Sequence, residues 1–182
     1  MLSDVSGHLA DDHAALSEVL NQLQEQLNDG NVEASHSCLD LFWARLAVHI
    51  RAEHLHLFPT VLKGLRDAKV GPLVAPSQAE GQLAVERLRA DHDFFMHELG
   101  RAMSTLRSLL RTTDPRGIEQ GLNAVRETIF QVEKRLIIHN VSEENQIYRW
   151  ASSVLNEPEQ LELATRINGE LSKLPARFAL NT

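Results

Sequence analysis

Cys38 is the chain's only cysteine, which excludes an intrachain disulfide, a Cys-x-x-Cys redox pair, an all-thiolate zinc site and an iron–sulfur cluster held by this chain alone. A reducing compartment is its natural setting. No window approaches the roughly eighteen uninterrupted apolar residues of a membrane span, and no basic stretch followed by an apolar one opens the chain, so a soluble, cytoplasmic protein is expected. Positive charge is also scarce. The chain has 18 Lys and Arg against 25 Asp and Glu, a net charge of −7, and no basic run, which argues against nucleic acid or an anionic membrane as partner. Alternating β-branched runs bounded by turn residues are missing too, which predicts an all-α protein.

What is present is helical periodicity. With 43% hydrophobic residues in 182, the chain can fill one sizeable core. The first helix is expected from Ser3 to about Asn28, with Leu9, His13, Leu16, Leu20, Leu23 and Leu27 in its seam and Gly30 available for a left-handed cap. A second helix, about Val32 to Leu62, carries an inward stripe of Leu39, Phe42, Leu46, His49, Glu53 and His56. The stretch from Val70 to Pro76, with Gly71 and two prolines, predicts the longest loop.

Ser77 and Glu80 form a capping-box pattern that opens a third helix, with the stripe Val85, Leu88, His92, Phe95, Leu99, Ala102, Leu106 and Leu109. Asp114-Pro115 starts a fourth, whose stripe runs Ile118, Leu122, Val125, Ile129, Val132, Leu136, His139, Glu143, Trp150 and Val154. A shorter helix, Glu157 to Leu174 with Leu161, Ala164, Ile167 and Leu171 inward, is expected to lie across the others. Mostly short loops favour an up-down-up-down antiparallel four-helix bundle over residues 1–155, with residues 156–182 as an additional C-terminal helix and tail packed on it.

His49-Ile50-Arg51-Ala52-Glu53 recurs as His139-Asn140-Val141-Ser142-Glu143. Residues four apart share a helix face, so each stretch offers an imidazole beside a carboxylate. At about 1.5 Å rise per residue, His13, His49, His92 and His139 all fall about 15–22 Å from one end of such a bundle. Two carboxylates buried at one level of an apolar bundle repel each other and cost several kcal/mol, a charge that two cations would balance. Four imidazoles and two carboxylates spanning both ions supply eight donors, and a shared oxo or hydroxo group raises each metal to five. Carboxylate bridging holds two ions about 3.5–4 Å apart, and the mixed donor set suits iron ahead of manganese or zinc.

Asp12-His13 with Leu16, the run HIRAEHLHLFP from His49 to Pro59, Asp91-His92, and HNVSEENQIY from His139 to Tyr148 make the chain resemble a hemerythrin-like protein of the HHE cation-binding family over nearly all of residues 1–154. The resemblance implies a non-haem centre of two iron ions, with His13, His49, His92 and His139 as terminal ligands and Glu53 and Glu143 as bridges. It departs from the family's oxygen carriers at Met96, where they place a second histidine, and at Glu143-Glu144, where they close the fourth helix with one carboxylate. With one imidazole fewer, the pair is expected to be more open and more symmetric, as in the branch that handles nitric oxide and repairs iron–sulfur clusters. The N-terminal cysteine region typical of the repair proteins does not appear here.

His56 and Glu144 are further metal-ligand candidates, His97 is expected to face solvent, and His8, His36 and His54 to be surface or supporting groups. Leu46, Phe95 and Leu136, with Phe42 and Leu88 a turn further, are expected to pack the core and keep the pocket dry. Tyr148 and Trp150 are expected to be packing residues that could also act as redox-active neighbours. The functional expectation is a protein that binds a small diatomic ligand, dioxygen or nitric oxide, for sensing, storage or scavenging, served by a redox partner the sequence does not identify. The alternatives are an enzyme reducing nitric oxide or a peroxide, and an iron donor in cluster repair.

Overall fold

The structure is a computed structural model that describes residues 5–67 and 76–178. The predicted loop through residues 70–75 and the predicted helix start at Ser3 lie outside the described residues. Among the described residues there is no strand, and the chain is all-α. Helix α1 spans Val5–Asn28 and α2 Val32–Ala52. A π-helical turn at Glu53–Leu57 leads directly into α3, Phe58–Asp67. Helix α4 spans Gln78–Leu109 and α5 Pro115–Ser142; a second π turn at Glu143–Ile147 leads into α6, Tyr148–Val154. Helix α7, Glu157–Leu171, and a 3₁₀ turn at Ala176–Phe178 complete the chain.

The helix boundaries follow local chemistry. Gly30, at φ 72°, ends α1, and the amide of Asn31 reaches the carbonyl of Gln26 at 3.0 Å. Asn31, Ser77, Asp114 and Asn156 each accept from amides of the first turn they open, and Ser77/Glu80 and Asn156/Glu159 form full capping boxes. Helix α1 packs on α2 and α5, α4 packs on α2 and α5, and α7 lies against α1, α2 and the first π turn. No described helix is long and apolar enough to cross a membrane.

The core falls into two apolar clusters. One runs through Leu16–Leu27, Leu39–Leu46, Phe95–Leu109 and Leu122–Leu136; the other gathers Leu9, Leu57, Phe58, Val61, Val85, Leu88, Ile147, Tyr148 and Ala151 with Leu163, Ala164 and Ile167 of α7. On every long helix the residues between the two clusters are the buried polar ones: His13, His49 with Glu53, His92, and His139 with Glu143.

The two π turns correct the sequence expectation beyond each glutamate. The amide of Phe58 bonds the carbonyl of Glu53, and that of Tyr148 bonds the carbonyl of Glu143, five residues back instead of four. One extra residue per turn puts everything downstream a step out of phase. Leu57 is therefore buried in place of the expected His56, and beyond Glu143 the buried residues are Ile147 and Ala151 instead of Trp150, which is only partly buried. In α7, Leu163 turns inward and Leu161 lies exposed, reversing the expected orientation of that turn.

Candidate metal centre

The backbone brings four imidazole Nε2 atoms and two carboxylates together at one level. His13 Nε2 lies 3.2 Å from His49 Nε2, and His92 Nε2 lies 3.0 Å from His139 Nε2. Each glutamate reaches both pairs with separate oxygens. Glu53 Oε1 is 3.5 Å from His49 Nε2 while its Oε2 is 3.3 Å from His92 Nε2. Glu143 Oε2 is 3.4 Å from His13 Nε2 while its Oε1 is 3.1 Å from His139 Nε2. Donors bound about 2.0–2.2 Å from one ion stand roughly 3–3.5 Å apart; His92, His139 and one oxygen of each glutamate all lie within 4.8 Å of one another, as ligands of a single cation would, and so do His13, His49 and Glu143, with Glu53 Oε1 beside His49.

The hydrogen bonding also fits cations here. Glu53 and Glu143 are fully buried, yet both oxygens of Glu53 and Oε1 of Glu143 have no hydrogen-bond partner. A buried carboxylate oxygen without a donor costs several kcal/mol, and coordination would remove that cost. Burial opposes protonation of His49, but Glu53, Asp12 and Glu143 outweigh it and push its pKa up to about 10. Burial likewise opposes a raised pKa at His139, where Glu143, Glu53 and Asp91 prevail. Glu53 is held well below the usual carboxylate range by His49 and His92 in spite of its burial. The cluster is thus a concentration of negative charge that draws positive charge inward, whether protons or metal ions.

Each imidazole is oriented from behind. With a cation on the inward Nε2, Nδ1 would carry the hydrogen. His49 Nδ1 donates to Asp12 at 2.8 Å and His139 Nδ1 to Asp91 at 3.2 Å. His13 Nδ1 donates to Glu144 at 3.0 Å and His92 Nδ1 to His54 Nε2 at 2.9 Å. Arg45 steadies Asp12 at 3.0 Å and Arg135 steadies Asp91 at 2.6 Å. Burial, His92 and Arg89 lower the pKa of His54, which keeps its ring neutral and able to accept. Such outer partners fix ring orientation and raise ligand basicity.

The predicted residues thus separate cleanly. His13, His49, Glu53, His92, His139 and Glu143 converge; His56 does not. The first π turn carries His56 out of the layer, and its Nε2 lies 3.8 Å from Glu170. Glu144 is also outside the convergent set, on the far ring nitrogen of His13. Met96 turns its sulfur to the indole NH of Trp43 at 3.3 Å. His97 is exposed, as expected.

Asp12, Asp91, Arg45, Arg135 and His54 are supporting residues to which sequence reasoning gave no definite role. An internal alignment would have found most of them. Arg-Leu-x-x-His-x-x-x-Glu occurs at Arg45–Glu53 and again at Arg135–Glu143, and Leu-x-x-Asp-His occurs at Leu9–His13 and Leu88–His92.

The walls are apolar. Phe95 meets His139 edge-on with centroids 5.3 Å apart, and Phe58 stacks on His92 at 6.0 Å. Tyr148 stacks on His13 at 6.0 Å and brings its hydroxyl to 3.3 Å from His13 Nε2. Burial and the carboxylates Glu143, Glu53 and Glu144 hold that phenol protonated well above its ordinary range.

Comparison with curated proteins and with solved structures finds no match. A sequence profile of the Hemerythrin HHE cation binding domain, however, matches residues 4–151, the span that contributes every convergent donor, and the chain belongs to that family of metal-binding proteins.

Proposed function

We propose that the cluster holds two iron ions and that the loaded protein binds dioxygen or nitric oxide. His13 and His49 would hold one ion, His92 and His139 the other, and Glu53 and Glu143 would each give one oxygen to each ion. The observation that carries this reading is the set of fully buried, unpartnered carboxylate oxygens facing four inward imidazole nitrogens. Iron in such a site supplies a redox-active centre for a small diatomic ligand. The protein's part is to orient the imidazoles through Asp12, Asp91, Glu144 and His54, and to exclude water with Phe58, Phe95, Leu46 and Leu136. An apolar wall favours small uncharged ligands over ions.

The same reading takes α1, α2 with α3, α4, and α5 with α6 as an up-down-up-down bundle over residues 1–155 with α7 docked on it, and it places the protein in the cytoplasm. Sensing, storage or scavenging is separated from catalysis by stopped-flow spectroscopy of the reduced, iron-loaded protein. A stable adduct with either gas supports binding, turnover with an electron donor shows an enzyme that reduces nitric oxide or peroxide, and transfer of iron to an apo acceptor shows an iron donor.

A further inference from the structure

The cluster is built twice from one pattern, and the pattern breaks at two places. Asp12, His13, Arg45, His49 and Glu53 correspond to Asp91, His92, Arg135, His139 and Glu143, with matching contacts throughout. One residue after the glutamates stand His54 and Glu144; five residues after them, where each π turn closes, stand Phe58 and Tyr148. Phe58 covers His92, and Tyr148 covers His13 in the same stacked manner. Both breaks that add oxygen, Glu144 and Tyr148, therefore fall on the His13 side.

The Tyr148 hydroxyl stands 3.3 Å from His13 Nε2 and 3.5 Å from Glu143 Oε2. These spacings repeat those among the donors themselves, 3.2 Å between His13 and His49 and 3.4 Å between His13 and Glu143. They are long for hydrogen bonds of a hydroxyl, which cluster near 2.7–2.8 Å for O–H···O, so the buried phenol is poorly satisfied by these partners alone. Oxygen donors are well suited to hard, highly charged cations.

We propose that Tyr148 Oη is a seventh donor, a phenolate that completes the shell of the metal held by His13 and His49 and leaves the other metal, beside Phe58, without a counterpart. The inference rests on the di-iron reading above. On ligation the phenol O–H bond breaks, its proton leaves to solvent, and an oxygen–metal bond forms with no change in oxidation state. The two iron positions are then chemically distinct despite the doubled scaffold.

Tyr148 is the only tyrosine in the chain, so its spectroscopic signature needs no assignment. The oxidised, iron-loaded protein is expected to show a visible phenolate-to-iron charge-transfer band, with tyrosinate vibrations enhanced in resonance Raman spectra excited within it. Tyr148→Phe is expected to abolish both while keeping two irons per chain. Adding Phe58→Tyr to Tyr148→Phe is expected to restore a band of altered energy from the His92 side. A wild type with two irons and no tyrosinate vibrations, or a Tyr148→Phe spectrum that is unchanged, overturns the inference and leaves the di-iron reading intact. A wild type that takes up no iron overturns both.

Discussion

The two apolar clusters on either side of the polar layer are built differently: one comes from α1, α2, α4 and α5, the other mostly from α3, α6, α7 and the π turns that precede α3 and α6. The cluster of Leu23, Phe42, Leu99 and Ile129 follows the ordinary three- and four-residue steps of a packed helix. Beyond the layer, Glu53 and Phe58 are both buried, as are Glu143 and Tyr148. Residues five apart point about 140° away from each other in a regular α-helix at 3.6 residues per turn. The π turn brings such a pair onto one side. A carboxylate and an aromatic ring can then line the same pocket, and the cost is a helix whose sequence no longer reads as one stripe.

The comparison can be broken most severely at the layer itself. Glu53→Ala or His139→Ala is expected to cut the iron bound per chain and to remove several kcal/mol of metal-linked stability from the loaded protein, since binding to the native state adds directly to folding free energy. Metal analysis and melting of the loaded variants check this, and two irons per chain with unchanged melting would speak against it.

Inserting one alanine after Leu55, an exposed residue within the first π turn, is expected to rotate everything downstream by about 100° and turn Phe58 and Val61 out of the core. The loss should be roughly 4–5 kcal/mol, the scale of large-to-small changes at buried aromatic and aliphatic sites. Urea unfolding measures it, with Leu55→Ala as the control expected to stay within about 0.5 kcal/mol. Equal stability of the insertion and the wild type would show that the phase set by the π turn does not organise the second cluster.

A smaller effect is expected where α3 meets α6. A Cβ on Gly64 would stand 2.5 Å from Val154 Cγ2, and the β-branched valine has little freedom to yield. Gly64→Ala should cost about 1–2 kcal/mol by overpacking, visible as a lowered urea midpoint with iron content unchanged. The smallest effect concerns the docking of α7, where buried Glu170 accepts from Arg51 and from Lys173 at 2.7 Å. Because Arg51 is nearly half exposed and Lys173 more than half, Arg51→Ala should cost no more than about 1 kcal/mol, by the same measurement.

How far the sequence could be read follows the same division. The seam residues of α1 and α4 and those of α5 as far as Glu143 are buried as their spacing predicts, apart from the partly buried Ile118, and the caps at Ser77 and Asp114 stand where their motifs put them. The six convergent residues are visible in the sequence because polar side chains at core-facing positions stand out against an apolar stripe. His56 was misplaced because a seven-residue step from His49 assumes an unbroken α-helix, whereas the π turn makes the step eight and gives it to Leu57. Trp150 was misplaced for the same reason at the second π turn. Nothing in residues 53–57 or 143–147 announces a π turn by composition; the doubled sequence around them carries that signal only when its two copies are set against each other. The role of His54 depends on a contact between helices, with His92, that periodicity alone does not supply.

The central claim is that the buried layer is held by two cations. Iron bound per chain, measured on wild-type protein loaded with iron and freed of excess, tests it most directly. The expected value is two, falling to one or none in both Glu53→Ala and Glu143→Ala; a wild type that retains no more than one iron, or two irons surviving in both variants, would contradict it.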